Sequence, residues 1–162
     1  MRDKPKVLFL CTGNSCRSQM AEAILRHVGD ERFEACSAGS QPAGFIHPLA
    51  VRTLESLDVP LDSAARSKSW REFADDPPDV VITVCDAAAE EVCPVWPDAP
   101  LTVHWSLPDP VYYPGTDAER LDFARRVAEE LKSRIERMLT LDWDKLAPDA
   151  LRRELETLPH PG

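Results

Sequence analysis

Cys11 and Arg17 are separated by five residues in a short segment that contains Gly13 and ends at Ser18. Four apolar residues before Cys11 predict a buried strand, and a helical pattern begins after Ser18. A turn between a parallel strand and a helix directs backbone N–H groups inward and forms a cradle for a tetrahedral oxyanion. The positive electrostatic field of these N–H groups also stabilises the thiolate of a cysteine at the mouth of the cradle. An arginine in the loop can bind two oxygens of the anion. The spacing therefore predicts attack by Cys11 on a phosphate-like centre.

The whole loop is predicted to contribute to oxyanion binding. Ser18 can cap the helix or donate a hydrogen bond to the Cys11 thiolate, and the two roles are compatible. For Cys16 we favour a packing or helix-entry role over that of a second redox thiol. The predicted oxyanion-binding residues are Thr12, Gly13, Asn14, Ser15, Cys16, Arg17 and Ser18.

Asp109 is the predicted general acid. It lies between Pro108 and Pro110, shortly after a predicted strand. Prolines on both sides restrict the backbone and hold the carboxyl group in one direction. Such an acid can protonate the oxygen that leaves a tetrahedral centre. An ordinary Asp-Pro turn is the alternative, and the thiolate loop favours the general acid.

Cys85 and Cys93 are separated by seven residues, 86–92, that favour a helix. Cys85 ends a predicted buried strand, so a doubly wound sheet would place it near the mouth of the Cys11 loop. The two thiols are candidates for redox chemistry. Zinc binding with His104 as a third ligand is disfavoured, because the spacing matches no common zinc pattern. Two inert buried cysteines are the remaining alternative.

The hydrophobic pattern alternates strands with helices, which predicts a small doubly wound sheet of four parallel strands flanked by helices. Ligands of such sheets bind at the carboxyl ends of the strands, where the strand order reverses. Residues 38–40 are predicted to form a turn, 69–73 a short helix, and Thr116 with Glu119 a helix-capping box. The predicted strands cover 7–10, 33–37, 80–84 and 101–105, and the predicted helices cover 18–28, 117–139, part of 144–158 and a segment starting at 48.

The length of 162 residues predicts one domain, here residues 1–141, followed by a helical tail, 142–162, that is not an independent domain. The tail could dock on the body or on a partner. The net charge of −9 disfavours a nucleic-acid partner. No apolar run predicts a membrane span or a secretion signal, and five cysteines without such a signal predict free thiols in the cytoplasm. We expect a monomer.

The segment CTGNSCRSQMAE, residues 11–22, resembles the phosphate-binding loop of the low-molecular-weight tyrosine phosphatase superfamily. Within it, the chain is similar to the arsenate reductases at Val84-Cys85-Asp86, Cys93-Pro94, His104-Trp105 and Asp109-Pro110. The resemblance covers roughly residues 6–139. It implies reduction of arsenate to arsenite for arsenic detoxification, with phosphate and sulfate as competing oxyanions.

The resemblance also implies a three-thiol sequence. Cys11 attacks arsenate, which Arg17 and the loop amides hold, and Asp109 protonates the departing hydroxide. Cys85 then attacks Cys11, and Cys93 attacks Cys85. The final disulfide is reduced by thioredoxin or by glutathione with glutaredoxin, without a bound cofactor.

Three other functions and one ion site are each compatible with part of this pattern. A tyrosine phosphatase would use Cys11, Arg17 and Asp109 equally but leaves Cys85 and Cys93 without a role. A phosphoryl carrier would not need a general acid, and an arsenic-binding protein would need only converging thiols. Superfamily members with a potassium ion are similar to this chain at Asn14, Glu22 and Ser37. Residues 66–68 contain no aspartate to complete that site, and no metal is predicted.

Overall fold

The structure, a computed structural model, describes residues 4–84 and 101–158. They form a four-stranded sheet in which every neighbouring pair of strands is parallel. The strands are β1 (Lys6–Cys11), β2 (Glu34–Gly39), β3 (Val80–Thr83) and β4 (Leu101–His104), in the spatial order β2-β1-β3-β4. The predicted fold class, a small parallel α/β sheet flanked by helices, is confirmed.

Helices surround this sheet. The α-helices are α1 (Arg17–Gly29), α2 (Pro48–Ser56), α3 (Asp117–Met138) and α4 (Pro148–Glu156). α1 packs on β1 and β2, α3 packs against α1 and α2, and α4 packs on β4. Short 3-10 helices cover Asp30–Arg32, Trp70–Phe73 and Pro110–Tyr112, the second of them where a short helix was predicted.

Burial follows from the position of each strand. Every residue of β1 and β3 is buried, because both strands have neighbours on either side and helices cover them. In β4, which ends the sheet, buried Leu101 and Val103 alternate with exposed Thr102 and half-buried His104. The continuous apolar pattern predicted for 80–84 therefore corresponds to an interior strand.

β2 extends further than predicted. The expected turn at 38–40 is wrong for Ala38 and Gly39, which pair with Leu10 and Cys11 in the parallel ladder. A Cβ atom on Gly39 would lie 2.4 Å from the Thr12 carbonyl oxygen. The glycine is therefore required for close approach of the strand to the loop that follows β1, and the Ala-Gly pair does not mark a turn here.

The long helix α3 begins as predicted. The Thr116 hydroxyl accepts the Glu119 N–H at 3.1 Å, and the Glu119 carboxylate accepts the Thr116 N–H at the same distance, which forms the predicted capping box. The buried apolar stripe of α3 contains Ala124, Val127, Ala128, Leu131, Ile135 and Met138.

The tail docks on the body. Leu151 and Leu155 of α4 are buried, and the Trp105 indole N–H donates to the Leu155 carbonyl oxygen at 3.0 Å. Trp105 itself is fully buried and lies 6.2 Å from the Phe9 ring, centroid to centroid. Within the two described stretches, none of the helices has the length and apolar character needed to cross a membrane.

The strand order reverses at β1, because β2 lies on one side of it and β3 on the other. Cys11 is the last residue of β1 and therefore lies at the switch point where such sheets bind ligands. Val84 continues β3 beside it, and its N–H donates to the Leu10 carbonyl oxygen at 2.9 Å.

Candidate active site

The segment from Cys11 to Arg17, here called the Cys11 loop, is held in place by hydrogen bonds that its backbone carbonyl groups accept. The segment 40–47 donates to four of them: Cys11 accepts from Ser40 (3.3 Å), Thr12 from Gln41 (2.9 Å), Gly13 from Ala43 (2.8 Å) and Ser15 from His47 (2.8 Å). In a trans peptide the N–H group points opposite to the carbonyl. The N–H groups that follow these carbonyls are therefore directed away from 40–47, as an oxyanion cradle requires.

Asn14 orders the inner side of this loop. It has a left-handed backbone, with φ of 48°, a conformation that asparagine adopts more readily than most residues. Its N–H group donates to Cys11 Sγ at 3.2 Å, and its Nδ2 donates to Ser18 Oγ at 2.8 Å. Sequence reasoning emphasised Gly13, but a Cβ atom on Gly13 would have only ordinary contacts. In the sequence, the Gly13-Asn14 pair is the feature that could have predicted this left-handed residue.

Ser18 lies 2.8 Å from Cys11, oxygen to sulfur. The serine oxygen accepts the Asn14 side-chain amide, so its proton can be donated to a Cys11 thiolate. A hydroxyl and a backbone N–H that both face the sulfur favour the thiolate over the thiol. Of the two roles predicted for Ser18, the structure shows the contact with Cys11.

Arg17 and Asp109 meet across the site. Arg17 Nη2 lies 3.3 Å from Asp109 Oδ2, and Nη1 donates to the Leu107 carbonyl oxygen at 3.0 Å. The second Asp109 oxygen accepts the Val111 N–H at 3.0 Å and caps the 3-10 helix that Pro110 begins. Both predicted roles of this aspartate, turn residue and acid in the site, are therefore compatible.

Cys11, Arg17 and Asp109 line a cleft of about 420 Å³. His47, at the start of α2, also lines it, and its Nδ1 accepts the Leu49 N–H, as expected for a helix-start residue. Two aromatic side chains at the cleft are exposed, Phe45 to 54% and Tyr112 to 83%. The cleft is lined by Cys11, Thr12, Gly13, Ser15, Cys16, Arg17, Ala43, Phe45, His47, Asp109, Val111 and Tyr112.

Burial disfavours the thiolate form of the other two described cysteines, Cys16 and Cys36. Burial, with a smaller contribution from the nearby Asp109 charge, raises the pKa of Cys16 to about 12. Burial likewise raises the pKa of Cys36 to about 12. The Cys16 carbonyl accepts the Met20 N–H at 2.9 Å, within the first turn of α1, which agrees with the favoured packing and helix-entry role.

The predictions for Cys85 and Cys93 lie outside the described residues. His104, the third residue of the disfavoured zinc site, has its Nδ1 2.7 Å from Thr83 Oγ1. Throughout residues 4–84 and 101–158, no three side chains of His, Cys, Asp or Glu are grouped as a metal site would require.

Gln19 is a buried polar residue that sequence reasoning missed. Its Nε2 donates to the Asn14 carbonyl at 3.1 Å and to the Arg66 carbonyl at 2.9 Å, so it joins the Cys11 loop to a segment 47 residues away. In the sequence, the position of this glutamine directly before the apolar stripe of α1 was the only local indication that it is buried.

The sequence pattern of the low molecular weight phosphotyrosine protein phosphatases matches residues 6–155. The chain belongs to this family. The family assignment agrees with the resemblance found in the loop of residues 11–22.

Named relatives in the family include arsenate reductases. The arsenate reductase of Halalkalibacterium halodurans is 38% identical over 134 residues, which cover 82% of this chain and 94% of the relative. A solved arsenate reductase in its phosphate-binding state has a TM-score of 0.68 and 31% identity, over 83% of this chain and 96% of that one. The thioredoxin-dependent arsenate reductase of Corynebacterium glutamicum has a TM-score of 0.59 and 32% identity, over 82% of this chain and 62% of that one.

The potassium site of some family members does not fit the residues present here. Asn14 Oδ1 already accepts the Lys68 N–H at 3.0 Å and the Gln19 amide at 3.1 Å. Glu22 Oε2 lies 3.2 Å from Arg26, and Glu22 Oε1 accepts the Ser37 hydroxyl at 2.9 Å. Because these oxygens already face donors and cations, they do not form a cage for a further cation.

Proposed function

We propose that this protein reduces arsenate to arsenite through a relay of cysteine thiols, for arsenic detoxification. The observation that carries the proposal is the placement of Cys11 Sγ between Ser18 and Asn14, in a loop whose N–H groups turn inward and which faces Arg17 and Asp109. The arsenate reductases among the relatives support the choice of arsenate over other oxyanions.

In the first step, the Cys11 thiolate attacks arsenic. The guanidinium of Arg17 and the loop N–H groups hold the arsenate oxygens, and the oxyanion replaces Asp109 on Arg17. Asp109 donates a proton to the departing hydroxide, which leaves as water. The product is a thioester of As(V) on Cys11.

In the second step, the Cys85 thiolate attacks Cys11 Sγ. The electron pair of the S–As bond passes to arsenic, As(V) becomes As(III), and arsenite leaves as the Cys11–Cys85 disulfide forms. Cys93 then attacks Cys85, which frees the Cys11 thiolate and leaves a Cys85–Cys93 disulfide. The approach of Val84 to Leu10 supports this proposal, since Cys85 follows Val84 in the chain.

An external dithiol returns two electrons to the last disulfide. Thioredoxin is the first candidate, because a thioredoxin-dependent arsenate reductase is among the structural neighbours, and glutathione with glutaredoxin is the second. No bound cofactor takes part in these steps. A free-thiol relay requires a reducing compartment, so we place the protein in the cytoplasm. We also propose that it acts as a monomer.

Phosphomonoester hydrolysis is the second candidate function. The exposed Phe45 and Tyr112 at the cleft favour it, because aromatic side chains can flank an aryl phosphate. The same nucleophile and acid would form and release a cysteinyl phosphate. This candidate gives Cys85 and Cys93 no role.

The deciding experiment measures arsenate-dependent NADPH oxidation, with the thioredoxin and glutaredoxin systems supplied separately. We expect sustained turnover with one of them. Cys85→Ser should complete no more than one turnover yet still hydrolyse para-nitrophenyl phosphate. Cys11→Ser should lower both activities by roughly a thousandfold or more, because the nucleophile is removed.

Cys36→Ala is the matched control, since this buried thiol lies outside the proposed relay and should leave sustained turnover intact. Repeated arsenate turnover by Cys85→Ser would contradict the relay. No turnover with either reductant, together with rapid phosphotyrosine hydrolysis, would favour the phosphatase.

A further inference from the structure

Lys68 is a mostly buried cation beside the Cys11 loop, and the proposed reaction gives it no role. Its backbone joins the loop to the sheet: the N–H group donates to Asn14 Oδ1 at 3.0 Å, and the carbonyl accepts the Gly39 N–H at 2.9 Å. The Asn14 N–H group donates to Cys11 Sγ at 3.2 Å. A displacement of Lys68 would therefore reach the nucleophile through one intervening residue.

The side chain of Lys68 turns inward from the same position. It is 13% exposed, its Nζ donates to the Arg66 carbonyl at 2.9 Å, and Nζ lies 3.9 Å from Glu22 Oε1. Burial lowers the pKa of Lys68 below its usual value, and the neighbouring Glu22 carboxylate acts in the opposite direction. The ammonium is thus held by a buried carboxylate and a carbonyl.

The oxygens around this ammonium also bind other groups. Glu22 Oε1 accepts the Ser37 hydroxyl at 2.9 Å, and the Arg66 carbonyl accepts the Gln19 amide at 2.9 Å. The Glu22 side chain is 7% exposed, and a buried carboxylate needs a nearby cation to be stable. The Lys68 ammonium supplies one such charge from within the chain.

We propose that Lys68 is a positioning residue whose ammonium acts as a tethered monovalent cation. It attracts Glu22, holds segment 66–69 in place, and so keeps Asn14 and the Cys11 loop in the arrangement that binds an oxyanion. Oxyanion binding by this chain consequently needs no added potassium or sodium. The Lys68 ammonium thus takes the place of a potassium ion, for which Asn14, Glu22 and Ser37 do not form a site here.

The inference concerns the loop used by the proposed function, and its test is calorimetric binding of inorganic phosphate, which requires no arsenate turnover. A failed reduction assay would therefore leave this test intact. We expect the wild-type Kd for phosphate to agree within about twofold in potassium, ammonium and tetramethylammonium chloride at equal ionic strength.

Lys68→Ala removes the ammonium and leaves its space open. In tetramethylammonium chloride, whose cation is too large to enter, the Kd should rise about tenfold. Ammonium or potassium should restore it to within about threefold of the wild-type value, because a small cation can occupy the vacated position.

Lys68→Met retains the apolar stem without the charge. Its Kd should rise as in Lys68→Ala, but small cations should not restore it, because the stem fills the space. Lys68→Arg should bind within about threefold of wild type, and Lys145→Ala, at an 84% exposed lysine, is the matched control and should not change.

Wild-type binding that strengthens about tenfold on adding potassium would overturn the proposal. So would unchanged binding in folded Lys68→Met, or a Lys68→Ala defect that ammonium fails to reverse. If Lys68→Ala does not fold, the comparison of Lys68→Met with Lys68→Arg decides the matter.

Discussion

The two carboxylate oxygens of Asp109 have separate partners, and this division suits a residue that must be both held and reactive. Oδ1 accepts the Val111 N–H at 3.0 Å, which anchors the side chain to its own turn. Oδ2 faces Arg17 at 3.3 Å and borders the cleft that contains Cys11. The flanking prolines predicted the direction of the side chain, while its pairing with Arg17 became visible only in the folded chain.

Asp109→Asn keeps the size of the side chain but removes its acid. We expect kcat/KM for phenyl phosphate to fall about 10²- to 10⁴-fold, because phenolate leaves slowly without a proton. The decrease for para-nitrophenyl phosphate should be much smaller, since its leaving group needs no proton. Steady-state kinetics with both esters measure the difference.

Asp142→Asn, at an aspartate paired with Lys145 away from the cleft, is the control and should change neither value. An equal decrease for the two esters would instead assign Asp109 a structural role through Arg17.

The end of β2 and the Cys11 loop form one packed unit at the level of secondary structure. Gly39 pairs with Cys11, its N–H donates to the Lys68 carbonyl, and the missing Cβ leaves room for the Thr12 carbonyl. The site thus depends on contact between a strand, a loop and the segment 66–69. A hydrophobic pattern locates β2 but does not show how far the ladder continues.

Gly39→Ala should be the more damaging of two glycine substitutions near the site. The new Cβ would lie 2.4 Å from backbone that cannot move aside, so the free energy of unfolding should fall by about 1–3 kcal/mol or more. Urea denaturation measures the change.

Gly13→Ala is the matched control, because its Cβ would come no closer than 3.5 Å to its nearest neighbour, Ser15 Oγ. It should change stability by less than about 0.5 kcal/mol. Equal effects of the two substitutions would contradict the close packing argued for Gly39.

At the scale of the whole molecule, α4 completes the core beside β4. Leu151 and Leu155 are at most 1% exposed, and the Leu155 carbonyl satisfies the buried Trp105 indole. Trp105 directly follows β4 and precedes the segment that carries Asp109. We therefore propose that residues 142–162 are not an independent domain and that the tail unfolds together with residues 1–141.

Leu155→Ala should lower the free energy of unfolding by about 2–5 kcal/mol, the usual cost of a cavity at a fully buried leucine. Intrinsic tryptophan fluorescence and far-ultraviolet circular dichroism should report the same single transition. Leu158→Ala, at a half-buried leucine beyond α4, is the control and should have a smaller effect. Separate transitions for the two signals would show that the tail is independent.

The sequence by itself determined the strand-loop-helix unit that contains Cys11, Arg17 and Ser18, and the alternation that predicts a parallel sheet. These features depend on neighbours in the chain, through hydrophobic period, loop spacing and capping chemistry. Only the tertiary structure decided that Asp109 pairs with Arg17, that Gly39 packs on the loop, and that Lys68 meets Asn14 and Glu22. Those contacts join residues far apart in the chain, and they arise from strand register and close packing, which no local pattern encodes.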